Sequence, residues 1–186
     1  CRFICPVIDR EVGGGRVTET RPLCEGGELF DTVAEGGRLD VQRALRFAAQ
    51  LAQAVAYMHK HRVLHRDLST KNVFLSASSE IKVGDFGVSK LMALPESLAT
   101  TMCGTPYYPS AELARGEPYG APSDVWSVGV ILFELLTLRR PFNAERLPAL
   151  LRQIAAGEYA ADALQRSPHS AELRWLVTPE ALLHPD

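Results

Sequence analysis

The chain has 186 residues, enough for one domain with a sizeable core. Its 20 Lys and Arg nearly balance its 22 Asp and Glu, and a net charge of −2 offers no basic field to hold nucleic acid or an anionic membrane. Hydrophobic residues are 46% and charged residues 23%, which excludes a disordered chain.

The residues from Arg2 to Val12 can hold a strand (FICPVI), and Gly13-Gly14-Gly15 then signals a turn. Val17 to Leu23 makes a poor partner strand, because Pro22 lacks a backbone donor. The glycines are not a phosphate loop, since no third glycine follows on the GxGxxG spacing. Asp40 is a good N-cap, and Val41, Ala44, Ala48, Leu51, Val55 and Met58 repeat at helical spacing as far as His61. Short apolar runs at 63–65, 72–75 and 80–86 read as small strands and loops. Leu91 to Tyr119 has no sustained periodicity and is rich in Pro and Gly, so it reads as a long functional loop. Ser123 is placed to cap an apolar helix, and Asn143 to cap another that ends at Gly157.

The most apolar run, Val128 to Leu138, is interrupted by Glu134 and Thr137 and is too short for a bilayer. It reads as a buried core helix. The N-terminus lacks the order of a signal peptide, and it begins with Cys instead of Met. Cys1, Cys5, Cys24 and Cys103 include no CxxC pair, which argues against structural zinc and for free thiols in a reducing compartment.

Chemistry concentrates between positions 65 and 130. His65-Arg66-Asp67 is followed by Asn72 and then by Asp85-Phe86-Gly87. Gly104-Thr105-Pro106, Glu112 and the run DVWSVG from Asp124 come after. One such triplet arises often by chance, but several in this order and spacing do not.

This series resembles the C-terminal lobe of a eukaryotic protein kinase, from about Cys24 to Asp186. The wording CEGGELF, HRDL, KNVFL, KVGDFGVSK and GTPYY is similar to that of the NIMA-related serine/threonine kinases. The fold implied is α+β and protein-kinase-like: mainly the helical C-terminal lobe, with a remnant of the N-terminal-lobe sheet. Residues 1–23 would be that remnant and 24–186 the lobe, with a catalytic loop at 65–72, an activation segment at 85–112 and a central helix at 123–136.

The resemblance implies transfer of the ATP γ-phosphoryl group to Ser/Thr hydroxyls of protein substrates, with ATP and Mg²⁺ bound. Asp67 would accept the substrate hydroxyl proton. Asn72 and Asp85 would hold the metal, as hard oxygen ligands suit Mg²⁺. Leu23 and Cys24 would lie along the adenine edge, Glu28 by the ribose, Phe74 under the adenine and Gly84 behind it. His65, Glu112 and Asp124 would be structural, and Thr105 would line the substrate pocket. Thr101 would be the regulatory phosphorylation site, modified by an upstream kinase or by the chain itself and captured by Arg66. No nucleic acid and no membrane partner is implied. The location implied is cytoplasmic, with cytoskeletal or nuclear association open.

Four features depart from the pattern. The first 59 residues hold no lysine, so no strand lysine is present for the phosphates. Ser69 stands where the resemblance expects a lysine, and Arg21 where it expects an apolar residue. Pro109-Ser110-Ala111-Glu112 replaces the usual ending of the segment, leaving Arg166 or Arg174 as candidate partners for Glu112. Two readings therefore stand together: the catalytic lobe of a kinase, and a catalytically dead lobe that docks proteins.

Overall fold

The computed structural model describes residues 1–35, 39–86, 90–91 and 107–184. The chain begins with a hairpin. Strand β1 (Asp9–Gly13) pairs antiparallel with β2 (Arg16–Thr20), in a register that sets Gly13 opposite Arg16. Gly14 and Gly15 both take positive φ, +57° and +74°, as a two-residue turn matched to strand twist requires. The strand starts at Asp9, later than the sequence suggests, because Phe3–Cys5 is used elsewhere: it lies beside another strand, through a parallel bridge from Ile4 to Val83. Every residue of the hairpin is exposed.

Helix α1 (Leu29–Glu35) leads to the long α2 (Val41–Lys60). Asp40 caps α2, its Oδ1 accepting from the Arg43 amide at 2.9 Å. Ala44, Phe47, Leu51, Ala54, Val55 and Met58 form its buried face. Four short strands follow: β3 (Val63–Leu64), β4 (Val73–Leu75), β5 (Ile81–Val83) and β6 (Lys90–Leu91). β3 pairs with β6, and β4 with β5, both antiparallel. The Gln50 side chain of α2 accepts from the Ile81 amide at 2.9 Å and fixes the helix to this ribbon.

Beyond α3 (Ala111–Ala114) lies α4 (Ala121–Thr137), in which every residue from Ser123 to Thr137 except Val125 is buried. A helix buried on all sides forms the centre of a layered helical body. It begins two residues before the expected 123, because Pro122 suits a first turn. Ser123 is not its N-cap; Gly120 is, and the Ser123 hydroxyl reaches back to accept from the Gly120 amide at 3.2 Å. Likewise α5 (Leu147–Ala156) is preceded by Arg146, not capped by Asn143, and Pro148 sits in its first turn. Gly157 ends it with φ +67°, as expected. Short helices α6 (Ala161–Gln165) and α7 (Ala171–Trp175) complete the body. Among the described residues no helix is long and apolar enough to cross a membrane.

At Gly129 the C-terminal turn packs closely against α4. A Cβ there would stand 2.9 Å from Leu182 Cβ and 2.9 Å from Leu183 Cδ2. Alanine in a helix normally gains about 0.5–1 kcal/mol over glycine, whereas overpacking costs about 1–3 kcal/mol. We expect Gly129→Ala to lower stability by about 1 kcal/mol, measured as a lower urea midpoint with an unchanged slope. A gain in stability would mean that the terminal turn yields freely.

Candidate active site

The site is assembled around one buried carboxylate. Asp124, at the start of α4, has 0% exposure. Its Oδ2 accepts from the His65 amide at 3.1 Å, and its Oδ1 from the Arg66 amide at 3.1 Å. Tyr119 donates its hydroxyl to Oδ1 at 2.6 Å, and the His59 ring meets Oδ2 at 2.7 Å. Burial by itself would raise the Asp124 pKa, but hydrogen bonds from His59, Tyr119 and the two amides outweigh it and hold the carboxyl below its usual range. This anion thus fixes the first two residues of the loop that runs from β3 to β4.

The remainder of the loop is held by His65 and Gly84. His65 has 0% exposure. Its Nδ1 accepts from the Asp67 amide at 3.3 Å, so Nε2 carries the proton and donates to the Gly84 carbonyl at 2.9 Å. Burial pushes the imidazole pKa down and keeps the ring neutral. The Gly84 amide donates to the Asn72 carbonyl at 2.9 Å. Gly84 is therefore bonded on one side to the His65 ring and on the other to Asn72. Asp85, the next residue, is exposed and takes φ +56°. Arg66 takes φ +72°. Two non-glycine residues in left-handed backbone within one loop cluster store strain that the surrounding bonds must hold.

Asn72 donates through Nδ2 to the Asp67 carboxylate at 2.9 Å and to the Asp67 carbonyl at 2.7 Å. That leaves its amide oxygen to face other ligands. The half-buried Asp67 carboxylate is aimed by this amide. Asp67 and Asn72 are thus brought together, and Gly84, bonded to His65 and to Asn72, immediately precedes Asp85. Among the described residues no group of three or more His, Cys, Asp or Glu could hold a metal ion. One carboxylate and one amide oxygen still fit Mg²⁺, which keeps several waters and takes substrate phosphates as further ligands.

The other expected positions lie nearby. Phe74 packs against Gly84, where an added Cβ would meet its ring at 2.9 Å; the room behind the ring position is therefore already filled by Phe74. Glu28 bridges Phe74 across β4. Cys24 is partly exposed and its carbonyl accepts from Gly27 at 3.0 Å, while Leu23 is 85% exposed. Arg21 pairs with Glu19 at 2.7 Å. Glu112 accepts a hydrogen bond from the Ser123 hydroxyl. Both candidate arginines have other partners: Arg166 pairs with Asp162, and Arg174 donates to the Gln165 carbonyl at 3.2 Å. Thr101 and Thr105 lie outside the described residues, as do Ser97 and Thr100.

Ser69 and Lys71 face away from the role of the expected lysine. Ser69 is 1% exposed and its hydroxyl has no hydrogen-bond partner among the described residues. Lys71 is exposed, with its ammonium 5.2 Å above the Phe30 ring of α1.

A second buried network was missed in the sequence. Tyr108 donates to Glu134 Oε2 at 2.6 Å, and the Thr70 hydroxyl donates to the same oxygen at 3.2 Å. The Thr70 amide donates to the Tyr108 hydroxyl at 3.3 Å, and through Glu134 the 65–72 loop is tied to α4. Arg140 Nε lies 3.7 Å from Glu134 and its guanidinium stacks 3.6 Å over the Tyr107 ring. Burial raises the Glu134 pKa against these bonds, and raises that of Tyr108 as well. The signal available was Glu134 itself, an acid interrupting the most apolar run.

Comparison with known proteins gives the family. The protein kinase domain family matches residues 17–178, and the chain belongs to that family. It is 39% identical over 164 residues, 87% of the chain, to the probable serine/threonine-protein kinase HSL1 of Saccharomyces cerevisiae, covering 10% of that protein. It is 39% identical over 150 residues, 80% of the chain, to serine/threonine-protein kinase Nek4 of Mus musculus, and covers 19% of it. It is 43% identical over 136 residues, 73% of the chain, to sucrose non-fermenting protein kinase 1 of Fusarium virguliforme, again covering 19%. The relatives are named as serine/threonine or sucrose non-fermenting protein kinases, and the chain has the α+β fold of the family with part of an upper lobe. It spans a tenth to a fifth of the length of these relatives.

Two outcomes test the buried anions. Asp124→Ala strands the His65 and Arg66 amides, and we expect a loss of about 3–5 kcal/mol in urea unfolding. An effect under about 1 kcal/mol would mean that the loop holds itself. Glu134 has a raised pKa, so folding binds its proton more tightly than the unfolded chain does. Its contribution to stability therefore falls as pH rises from the ordinary Glu range, about 4.3, through the raised value. Glu134→Gln should remove that fall, seen in the difference between the two stability profiles across mildly acidic pH.

Proposed function

We propose that this chain is the catalytic lobe of an ATP-dependent protein serine/threonine kinase, transferring the γ-phosphoryl group of ATP to Ser or Thr hydroxyls of protein substrates. On this reading residues 1–23 are the remnant of the upper lobe, and residues 24–186 form the lower lobe. The observation that carries it is the Asn72 amide bonded at once to the Asp67 carbonyl and carboxylate, with the Asn72 carbonyl accepting from the Gly84 amide, one residue before Asp85. Asp67 orients the substrate hydroxyl and accepts its proton. Asn72 and Asp85 hold Mg²⁺, which when bound neutralises phosphate charge. Leu23 and Cys24 lie along the adenine, Glu28 by the ribose, and Phe74 and Gly84 form the floor. Thr105 lines the substrate pocket. Thr101, phosphorylated by an upstream kinase or by the chain itself, pairs with Arg66 and orders the segment. The site of action is cytoplasmic, in keeping with thiols that are free in Cys1, Cys5 and Cys24.

Ser69 and the wholly exposed hairpin favour a second reading, a lobe that docks proteins without catalysis. The two differ in nucleotide dependence. Mg²⁺-ATP should raise the melting temperature of the chain, and Asp85→Asn should abolish that shift. Where transfer to a Ser/Thr peptide is measurable, Asp67→Asn should lower it by about 10²–10⁴-fold. Ser69→Ala should leave both rate and stability within about twofold and about 1 kcal/mol, because its hydroxyl is buried without a partner. No thermal shift with Mg²⁺-ATP would favour docking.

A further inference from the structure

We propose that the helical body carries a docking groove for an amphipathic helix of a partner protein, and that Glu112 receives an arginine at the end of that helix. Two cavities make the groove. The first, of about 750 Å³, lies between α3, the turn that follows it and the C-terminal residues; Pro118, Pro122, Val125, Trp126 and Leu182 line it. The second, of about 540 Å³, lies along α2 and α4. Val125 and Leu182 line both, so one cavity runs into the other.

The wall along α2 is built to face another helix. Leu45, Ala49, Ala52 and Ala56 alternate at spacings of four and three, all are exposed, and none belongs to the buried face of α2. That repeat is the one by which helices pack side by side, and the alanines let a second backbone come close. Leu45 is 42% exposed and Val125 38%, so apolar surface is open at both ends of the wall. From Leu45 to His59 the wall is about 21 Å long. His59 bonds Asp124, the residue before Val125, so the first cavity begins where α2 ends. A small molecule would fill one cavity; a helix of about 30 Å covers both.

Among the described lining residues, acids stand only at the α3 end. Gly116, with φ +80°, turns the chain back after α3, and the Glu117 amide donates to the Glu112 carbonyl at 2.8 Å. Both carboxylates therefore share one rim of the first cavity. Glu112 is half-buried, and among the described residues its carboxylate bonds only to the Ser123 hydroxyl, through Oε1. The cations on the same rim are Arg115 and His184, and Arg115 donates to the Ala155 carbonyl of α5 at 3.0 Å. A half-buried carboxylate is best served by a cation that brings its own donors. Guanidinium offers two parallel N–H bonds to a carboxylate, whereas a lysine is a single point charge. The groove owes nothing to phosphoryl transfer and stands under either reading given above.

The test titrates the full ¹⁵N-labelled chain, without nucleotide, with an acetylated and amidated helical peptide of about 20 residues. Its leucines alternate at spacings of three and four on an alanine background. An arginine stands at each end, so that either direction in the groove is served, and Ser and Thr are left out so that it cannot accept phosphate. A twin carries citrulline in place of arginine, which keeps the shape and removes the charge. N-acetyl-arginine amide is the third probe. The arginine peptide should shift amide signals in both 45–59 and 112–126, and bind roughly tenfold or more tightly than its twin. Glu112→Gln, which keeps an acceptor for Ser123, should erase that preference. Ala52→Glu, at an exposed position, should weaken the arginine peptide by roughly tenfold or more. Equal binding of the twins overturns the role of Glu112 whether or not Glu112→Gln folds. No binding of the peptide, or shifts outside those two stretches, overturns the groove. Equal affinity for N-acetyl-arginine amide and the peptide would mark a small-cation site and overturn the helical partner.

Discussion

A fully buried carboxylate is costly unless every lone pair is used, and Asp124 uses its own to hold the backbone of His65 and Arg66. The loop from His65 to Asn72 has no regular structure to fix it, being suspended between two short strands. Its shape is therefore set from outside, by the first turn of the most buried helix in the chain. Tyr119 and the His59 ring complete the anion's coordination from a neighbouring loop and from α2. A charge that would be a liability alone becomes the anchor to which two loops and two helices are referred.

From that anchor the geometry passes inward through a neutral histidine. His65 accepts from the Asp67 amide and donates to Gly84, and Gly84 in turn donates to Asn72. The chain is short, so small errors do not accumulate between the three polar side chains at its end. Left-handed backbone at Arg66 and Asp85 is held against its own preference by these bonds. Strain of this kind persists where the surroundings over-determine it, and it lies next to the two aspartates assigned to catalysis.

The Thr70–Tyr108–Glu134 network is a second connection of the same type, from the loop to the far end of α4. It fixes the segment following Asp67 at Thr70. Ser69 itself is buried, and its hydroxyl has no hydrogen-bond partner among the described residues.

The sequence by itself determined the local elements and the family. Apolar spacing and Asp40 defined α2, paired glycines defined the hairpin turn, and the ordered motifs from His65 to Asp124 defined the kinase resemblance. These are properties of neighbouring residues, which period and capping chemistry report directly. Helix starts at Ala121 and Leu147 were displaced from the expected caps because Pro122 and Pro148 favour first turns, a competition between nearby signals. What only the tertiary structure decided was partnership. That Glu112 bonds to Ser123 and not to Arg166 or Arg174, that Phe3–Cys5 joins β5 instead of the hairpin, and that Glu134 serves Thr70 and Tyr108 all depend on contacts between distant segments. Such contacts are selected by which polar groups burial leaves in need of a partner, and burial exists only once the chain has folded.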